Sequence, residues 1–243
     1  MQLRGELKRM NQYQANATDG LGWHTTVDST LNSVSNQLQQ VRTWVLQGLN
    51  TGAGDAKSNE ALAQQVDQAR QSILSMANTT YLSRPVFGGT TSGTDAFDSS
   101  GSYIGDAGVV TRTVAPNSTV DLNTPGTTVF GANGTNVFDL LTDISAKLRS
   151  NPTALGTDLT QLDTAQIAVT SQQALAGAKS QRIQTMQTIA STNVIQLKSQ
   201  LSDLQEIDLA EVAVDVTSAN TAYQAALATT AKVSQISLLD FLR

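Results

Sequence analysis

Residues 2–50, QLRGELKRMNQYQANATDGLGWHTTVDSTLNSVSNQLQQVRTWVLQGLN, carry apolar side chains at alternating three- and four-residue steps, and that spacing decides the fold. One seven-residue series runs Leu3, Met10, Ala17, His24, Leu31, Leu38, Val45. Its companion runs Leu7, Gln14, Leu21 and then, after a one-residue slip near His24, Val27, Val34, Val41. Such steps line one side of an α-helix, whose turn takes 3.6 residues. At 1.5 Å per residue the helix would be roughly 70 Å long, several times the ~11–12 residues of an average helix, so the stretch predicts a rod. Gly52 and Gly54 break it, and Asp55 or Ser58 is suited to cap the next helix.

Downstream, Leu62, Val66, Ala69, Ile73, Met76 and Thr80 fall on one face of a second helix that Pro85 is expected to end. The short connection makes the two an antiparallel hairpin. Between residues 85 and 135 the composition turns to Gly, Ser, Thr and Asp, with β-branched runs at Val109–Val114, Thr119–Leu122 and Thr127–Phe130. The alternation Val110, Arg112, Val114 fits a half-exposed strand, and Pro116–Asn117 and Pro125–Gly126 are turn signals. A short helix capped by Thr135 or Asn136 follows, with Val137, Leu140, Leu141, Ile144 and Leu148 inward. Asn151–Pro152 closes it and opens a long return helix to about Gln205, since proline suits the first helical position.

That return helix keeps one apolar series, Leu162, Val169, Ala176, Ile183, Ala190, Leu197, Leu204. Its companion, Leu159, Gln166, Gln173, Ser180, Gln187, Val194, Leu201, is polar in the middle. The last segment has its own seam, Leu209, Val212, Val216, Ala219, Tyr223, Ala226, Thr230, Val233, and ends in Leu238, Leu239, Phe241 and Leu242. With Leu227 and many alanines around it, this helix has more apolar surface than one intrachain neighbour covers. The expected class is mainly α, an elongated antiparallel helical bundle with a small β-rich insert. Residues 1–84 supply two rod helices, 85–135 the insert, 136–207 the short and long return helices, and 208–243 a terminal assembly helix.

Composition narrows the function. Of 243 residues 14% are charged, against ~25% in an average domain, so the surface repels its own copies weakly. Net charge is −5, and no Lys/Arg cluster exceeds the pair Lys8–Arg9, which disfavours nucleic acid. No apolar run approaches the ~20 residues that span a bilayer, and no signal-peptide core opens the chain. A membrane-surface helix would be rich in Lys/Arg, whereas Lys232 alone is basic between Asp208 and Ser237.

A catalytic kit is equally hard to assemble. There is no cysteine and one histidine, His24, which falls on the rod seam and reads as a packed, hydrogen-bonded core residue. Asp95, Asp98, Asp106 and Asp121 in the insert could in principle form a glycosidase-like carboxylate pair or a glycan site, but in a Gly/Ser-rich segment they read as turn formers. Phe87–Gly88–Gly89–Thr90 and Gly131–Ala132–Asn133–Gly134 read as insert boundaries. Trp23 and Trp44, three heptads apart, read as packing anchors. No catalytic residue, cofactor or metal site is expected.

The stretch Asp208–Leu209–Ala210–Glu211 through Tyr223–Gln224–Ala225–Ala226–Leu227, ending Ser237–Leu238–Leu239–Asp240–Phe241–Leu242, resembles the C-terminus of bacterial flagellins. It is closer still to the related hook–filament junction family, the third flagellar hook-associated proteins. Asn16–Ala17–Thr18–Asp19–Gly20–Leu21 with Val27–Asp28–Ser29–Thr30–Leu31 resembles the family's first rod helix, and Phe87–Gly88–Gly89–Thr90 the end of its hairpin. Tyr103–Ile104–Gly105–Asp106, Val114–Ala115–Pro116–Asn117 and Val129–Phe130–Gly131 resemble the junction family's insert. The resemblance implies a flagellin-like rod and export by the flagellar type III route with a chaperone. It further implies self-association into a ring between the first hook-associated protein and flagellin, on the extracellular flagellum. A flagellin filament subunit is the alternative it leaves open. It also implies a further N-terminal helix, with a Ser-Gly-Lys stretch, ahead of the rod. Because Gln2 already reads as mid-helix, an upstream segment is expected to be missing and assembly of this chain to be poor.

Overall fold

The computed structural model describes residues 1–51, 55–205 and 209–241, and side chains for 1–50, 55–204 and 211–232. Two helices form its spine, α1 (Gln2–Thr51) and, after α2 to α4 introduced below, α5 (Gly156–Gln205). The α1 series predicted from spacing is the core: Ala17, Val27, Leu31, Val34, Leu38, Val41 and Val45 are all buried, facing Leu162, Val169, Ala176 and Ile183 of α5. Polar members of the α5 companion series pair across the seam. Gln166 donates to Ser35, Gln173 Nε2 to Asn32 Oδ1 at 2.6 Å, and Gln187 Nε2 to Thr18 Oγ1 at 2.9 Å. As the α5 number rises its α1 partner's number falls, so the helices are antiparallel. A shift of one residue along the seam would unpair every one of these amides, and buried or half-buried polar groups left unpaired are costly.

A second pair packs at one end of the rod. Helix α2 (Ala56–Ala77) starts where Asp55 accepts from the amides of Lys57 and Ser58. It lies against α4 (Val137–Ser150), with Ser145 Oγ donating to Ala63 O and Arg149 bridging Glu60 and Asp67. Arg70 Nε reaches Phe138 O, so these helices are antiparallel as well. The start of α4 is a capping box: Asn136 accepts from the Asp139 amide while Asp139 accepts from the Asn136 amide. A single 3-10 turn at Pro152–Leu155 then leads into α5. Near its N-terminus the buried Asp158 receives the Lys147 ammonium at 2.8 Å.

Two expectations need correction. Helix α2 ends at Ala77, not at Pro85. The Asn78 side chain takes over there, accepting from the amides of Ala96 and Phe97 and donating to Phe97 O, which ties the helix end to the insert. Met76 is therefore only half-buried, and Thr80 is exposed in strand β1 (Thr80–Tyr81), which pairs with β2 (Arg84–Pro85). Leu82 and Ser83 turn that pair at φ 47° and 64°, values that L residues rarely adopt.

The second correction concerns the insert. Its β content is the hairpin β3 (Thr111–Ala115) and β4 (Ser118–Asp121), turned at Pro116–Asn117 as expected, with Val110, Val114, Val120 and Leu122 buried. The third run, Thr127–Phe130, is instead helix α3 (Gly126–Phe130). A strand would send Val129 and Phe130 to opposite faces, yet both are buried. Phe130 enters a cluster with Phe87, Phe97 and Phe138, ring centroids 5.1–5.7 Å apart, and that packing outweighs β propensity.

Truncating the seam should therefore cost far more than truncating the outer surface. Leu31→Ala and Ile183→Ala are each expected to lose about 2–5 kcal/mol in urea unfolding, and Ile195→Ala, 67% exposed, close to nothing.

Candidate assembly surface

Helix α6 (Leu209–Phe241) follows α5 and differs from every other helix of the chain: each side chain described along it, 211–232, is exposed. Of the residues expected to form an assembly interface, Val212, Val216, Ala219, Tyr223, Ala226 and Leu227 stand uncovered on it, Tyr223 at 66% and Val216 at 55%. The side chains of Leu209, Val233, Leu238, Leu239, Phe241 and Leu242 lie outside the described residues. Val214, 67% exposed, lies nearly opposite Val212 and Val216 on the helix, so the apolar surface is two-sided. The threonines reinforce it. Thr217, Thr221 and Thr230 turn their hydroxyls back onto carbonyls one turn earlier, at 2.7–2.8 Å, leaving their methyl groups outward.

The surface begins before α6. The α5 seam runs out towards its C-terminus, where Leu197 is half-buried and Leu204 is 74% exposed. Along the outer side of α5, Ile167, Leu175, Ile189 and Ile195 are also exposed, a stripe that the sequence reading passed over. Its signal was faint: Ile167 and Ile195 are four heptads apart with Gln181 and Thr188 in between, and Leu175 and Ile189 two heptads apart with Arg182 in between. Long helices with two apolar sides bury one within the chain and offer the other to neighbours.

In the insert, Asp98 and Asp106 are committed to structure. Asp106 accepts from the Thr90 and Gly108 amides and from the Thr90 hydroxyl, and Asp98 from the amides and hydroxyl around Ser100 and Ser102. These donors hold both carboxyls below the usual carboxylate range, the Ser100 hydroxyl dominating at Asp98 and the Thr90 amide at Asp106. A carboxyl so held cannot act as a general acid near neutrality. Gly89, at φ +74°, is required there, because a Cβ would strike the Asp106 backbone. A cleft of about 590 Å³ between α3, α4 and α5 is lined by Val129, Phe130 and Leu140. Its two carboxylates are also engaged, Asp139 in the capping box and Asp143 with Lys147. His24 is buried, as expected of a seam residue, but neither ring nitrogen finds a hydrogen bond among the described residues, contrary to the expectation of a bonded one. Burial first, then the Lys179 charge, lower its pKa to about 4. No described helix is long and apolar enough to cross a membrane.

Family comparison accounts for this layout. The bacterial flagellin N-terminal helical region matches residues 1–86, and the bacterial flagellin C-terminal helical region matches residues 159–242. The chain belongs to the flagellin superfamily. As a superfamily member it is a structural subunit of the flagellum, and the segment between the two flagellin regions is the insert with α4. Among solved structures, a flagellar hook-associated protein from Vibrio parahaemolyticus is 24% identical, with 83% of this chain and 94% of that one covered, at a TM-score of 0.75. FlgL from Bacillus cereus is 21% identical over 80% of this chain and 96% of its own, at 0.70. Flagellin from the same organism, 24% identical over 79% and 93%, reaches only 0.52. The fold is FlgL-like. No sequence among curated proteins matches the chain.

Without a covering partner, α6 has only its own hydrogen bonds to hold it, and isolated helices owe most of their stability to burial. In the dilute purified chain the amides of 211–232 should exchange much faster than those around Leu31. Comparable protection in both places would contradict an uncovered helix.

Proposed function

We propose that the chain is the subunit that joins hook to filament, and that it does so by laying α6 and the outer stripe of α5 against helices of neighbouring subunits. The observation that carries this reading is α6 itself, a helix of 33 residues with Val212, Val214, Val216, Tyr223 and Leu227 exposed. An exposed apolar surface of that extent on a soluble chain marks an interaction site. The greater likeness to hook-associated proteins than to flagellin favours the junction over the filament. In this reading copies of the chain form a ring on the extracellular flagellum, against the first hook-associated protein on one side and flagellin on the other. They arrive there by type III export with a chaperone. The low charge content lets closely related helices approach without strong repulsion. The interface residues are Leu209, Val212, Val216, Ala219, Tyr223, Ala226, Leu227, Val233, Leu238, Leu239, Phe241 and Leu242. The function is mechanical joining, not catalysis.

A second reading is a filament subunit, favoured by the two flagellin helical regions at the chain's ends. Filament growth from the purified chain alone would select it. Removing residues 208–243 tests the primary reading: the remaining rod should fold, with its helical signal and urea midpoint retained, while filaments fail to stay on hooks and motility is lost. Unchanged motility after the deletion rejects it.

A further inference from the structure

The only histidine of the chain lies where three elements meet. Gly20, one turn before His24 on α1, is so tightly packed that a Cβ there would sit 3.2 Å from Leu122, just after β4, and 3.3 Å from Ile183 of α5. The imidazole is 1% exposed, and neither of its nitrogens completes a hydrogen bond among the described residues. The adjacent Trp23 indole nitrogen is buried without a partner too. The charged residues around this junction are Lys179 and Arg182 on α5, Arg112 on β3, Asp121 on β4, and Asp19 and Asp28 on α1. Asp19 is taken by Arg112 at 2.8 Å, and Arg182 reaches Ser118. Lys179 acts on the ring as a like charge, and the Asp121 backbone opposes it more weakly.

A neutral imidazole is tolerated in such a place, but an imidazolium beside an ammonium, opposed only by the Asp121 backbone, is not. The proton can be taken up only by opening the junction, and the three elements are unequally held. The α1–α5 seam is closed by layer after layer of apolar side chains and by the glutamine pairs. The β3–β4 hairpin rests on Val110, Val114, Val120 and Leu122, the Arg112–Asp19 pair, and the bonds from Asn16 Nδ2 to Thr113 O at 2.8 Å and from Arg182 to Ser118 Oγ at 3.4 Å. Segments with few buried contacts open first.

We propose that His24 is an acid-sensitive latch, whose protonation releases the β3–β4 hairpin from the rod while the α1–α5 seam stays closed. The folded site disfavours the proton, so the latch's contribution is complete above pH 6.5, the ordinary value, and is lost as pH falls towards about 4. Asp98 and Asp106, held below 3.8, titrate beneath that window.

Amide exchange of the full chain, corrected for intrinsic rates, tests this between pH 7 and 4. Protection of the 112–120 amides should fall by roughly tenfold per pH unit below 6.5, while amides around Leu31 and Leu38 stay protected. In His24→Gln the fall should vanish. In Lys179→Gln, which leaves the seam intact, the fall should start at the same pH but level off at a higher pH and be smaller overall, because the closed site then resists the proton less. Loss of rod and hairpin protection together, an equal fall in His24→Gln, or a fall in Lys179→Gln as large as in the parent chain overturns the proposal.

Discussion

The antiparallel contact between α1 and α5 is the constraint on which the remaining structure depends. Two helices of 50 residues each would be marginal alone, and each supplies the surface that stabilises the other. Apolar layers every seven residues give the contact its strength. The lateral amide nitrogens of Gln166, Gln173 and Gln187 give it a register, since one alignment lets all three donate across the seam. Once that register is fixed, Gly20 and Gly22 are fixed too. At Gly22 the absence of a side chain admits Tyr81, whose hydroxyl oxygen would sit 2.4 Å from a Cβ there. The insert is therefore seated on the rod by the rod's own alignment.

The same contact leaves other surfaces open. A helix turns its side chains through a full circle, and a two-helix seam covers only part of it. Around α1 much of the remainder is occupied by α2 and the hairpin. On α5 it is not, and along α6 no described side chain has intrachain cover. An isolated soluble protein would place charges on such a surface. Here it carries valines, alanines and threonines whose hydroxyls are satisfied internally, the composition on which the proposed assembly interface rests. In the proposed reading, the flagellin-superfamily rod closes its seam within the chain and the uncovered terminal helix is covered by neighbouring subunits.

The rod was legible in the sequence because its signal is periodic and long. Leu31, Leu38 and Val45 announce themselves by spacing alone, and Ile183 does the same from the other helix. The insert was less legible, because its folding is decided by contacts between distant residues. Nothing local to Thr127–Phe130 reports that Phe87, Phe97 and Phe138 will gather around Phe130, so β-branched residues suggested a strand where packing requires a helix. Likewise the side chain of Asn78, not the proline seven residues later, ends α2, through bonds to Ala96 and Phe97 that no pattern encodes. At His24 spacing predicted burial correctly, but the hydrogen bonds expected with it are not made among the described residues, because they depend on the elements that surround the ring. The exposed Ile167 and Ile195 are separated at seven-residue steps by Ala174, Gln181 and Thr188, so no continuous apolar series announced them beside the stronger seam.

The central claim is that the α6 surface is covered once the subunit is in the flagellum. Photo-crosslinking from positions 214 and 223, compared between the dilute chain and flagella isolated from cells, tests it most directly. The account predicts intermolecular adducts from both positions in flagella and none in the dilute chain. Adducts confined to the chain's own rod in both samples would contradict it.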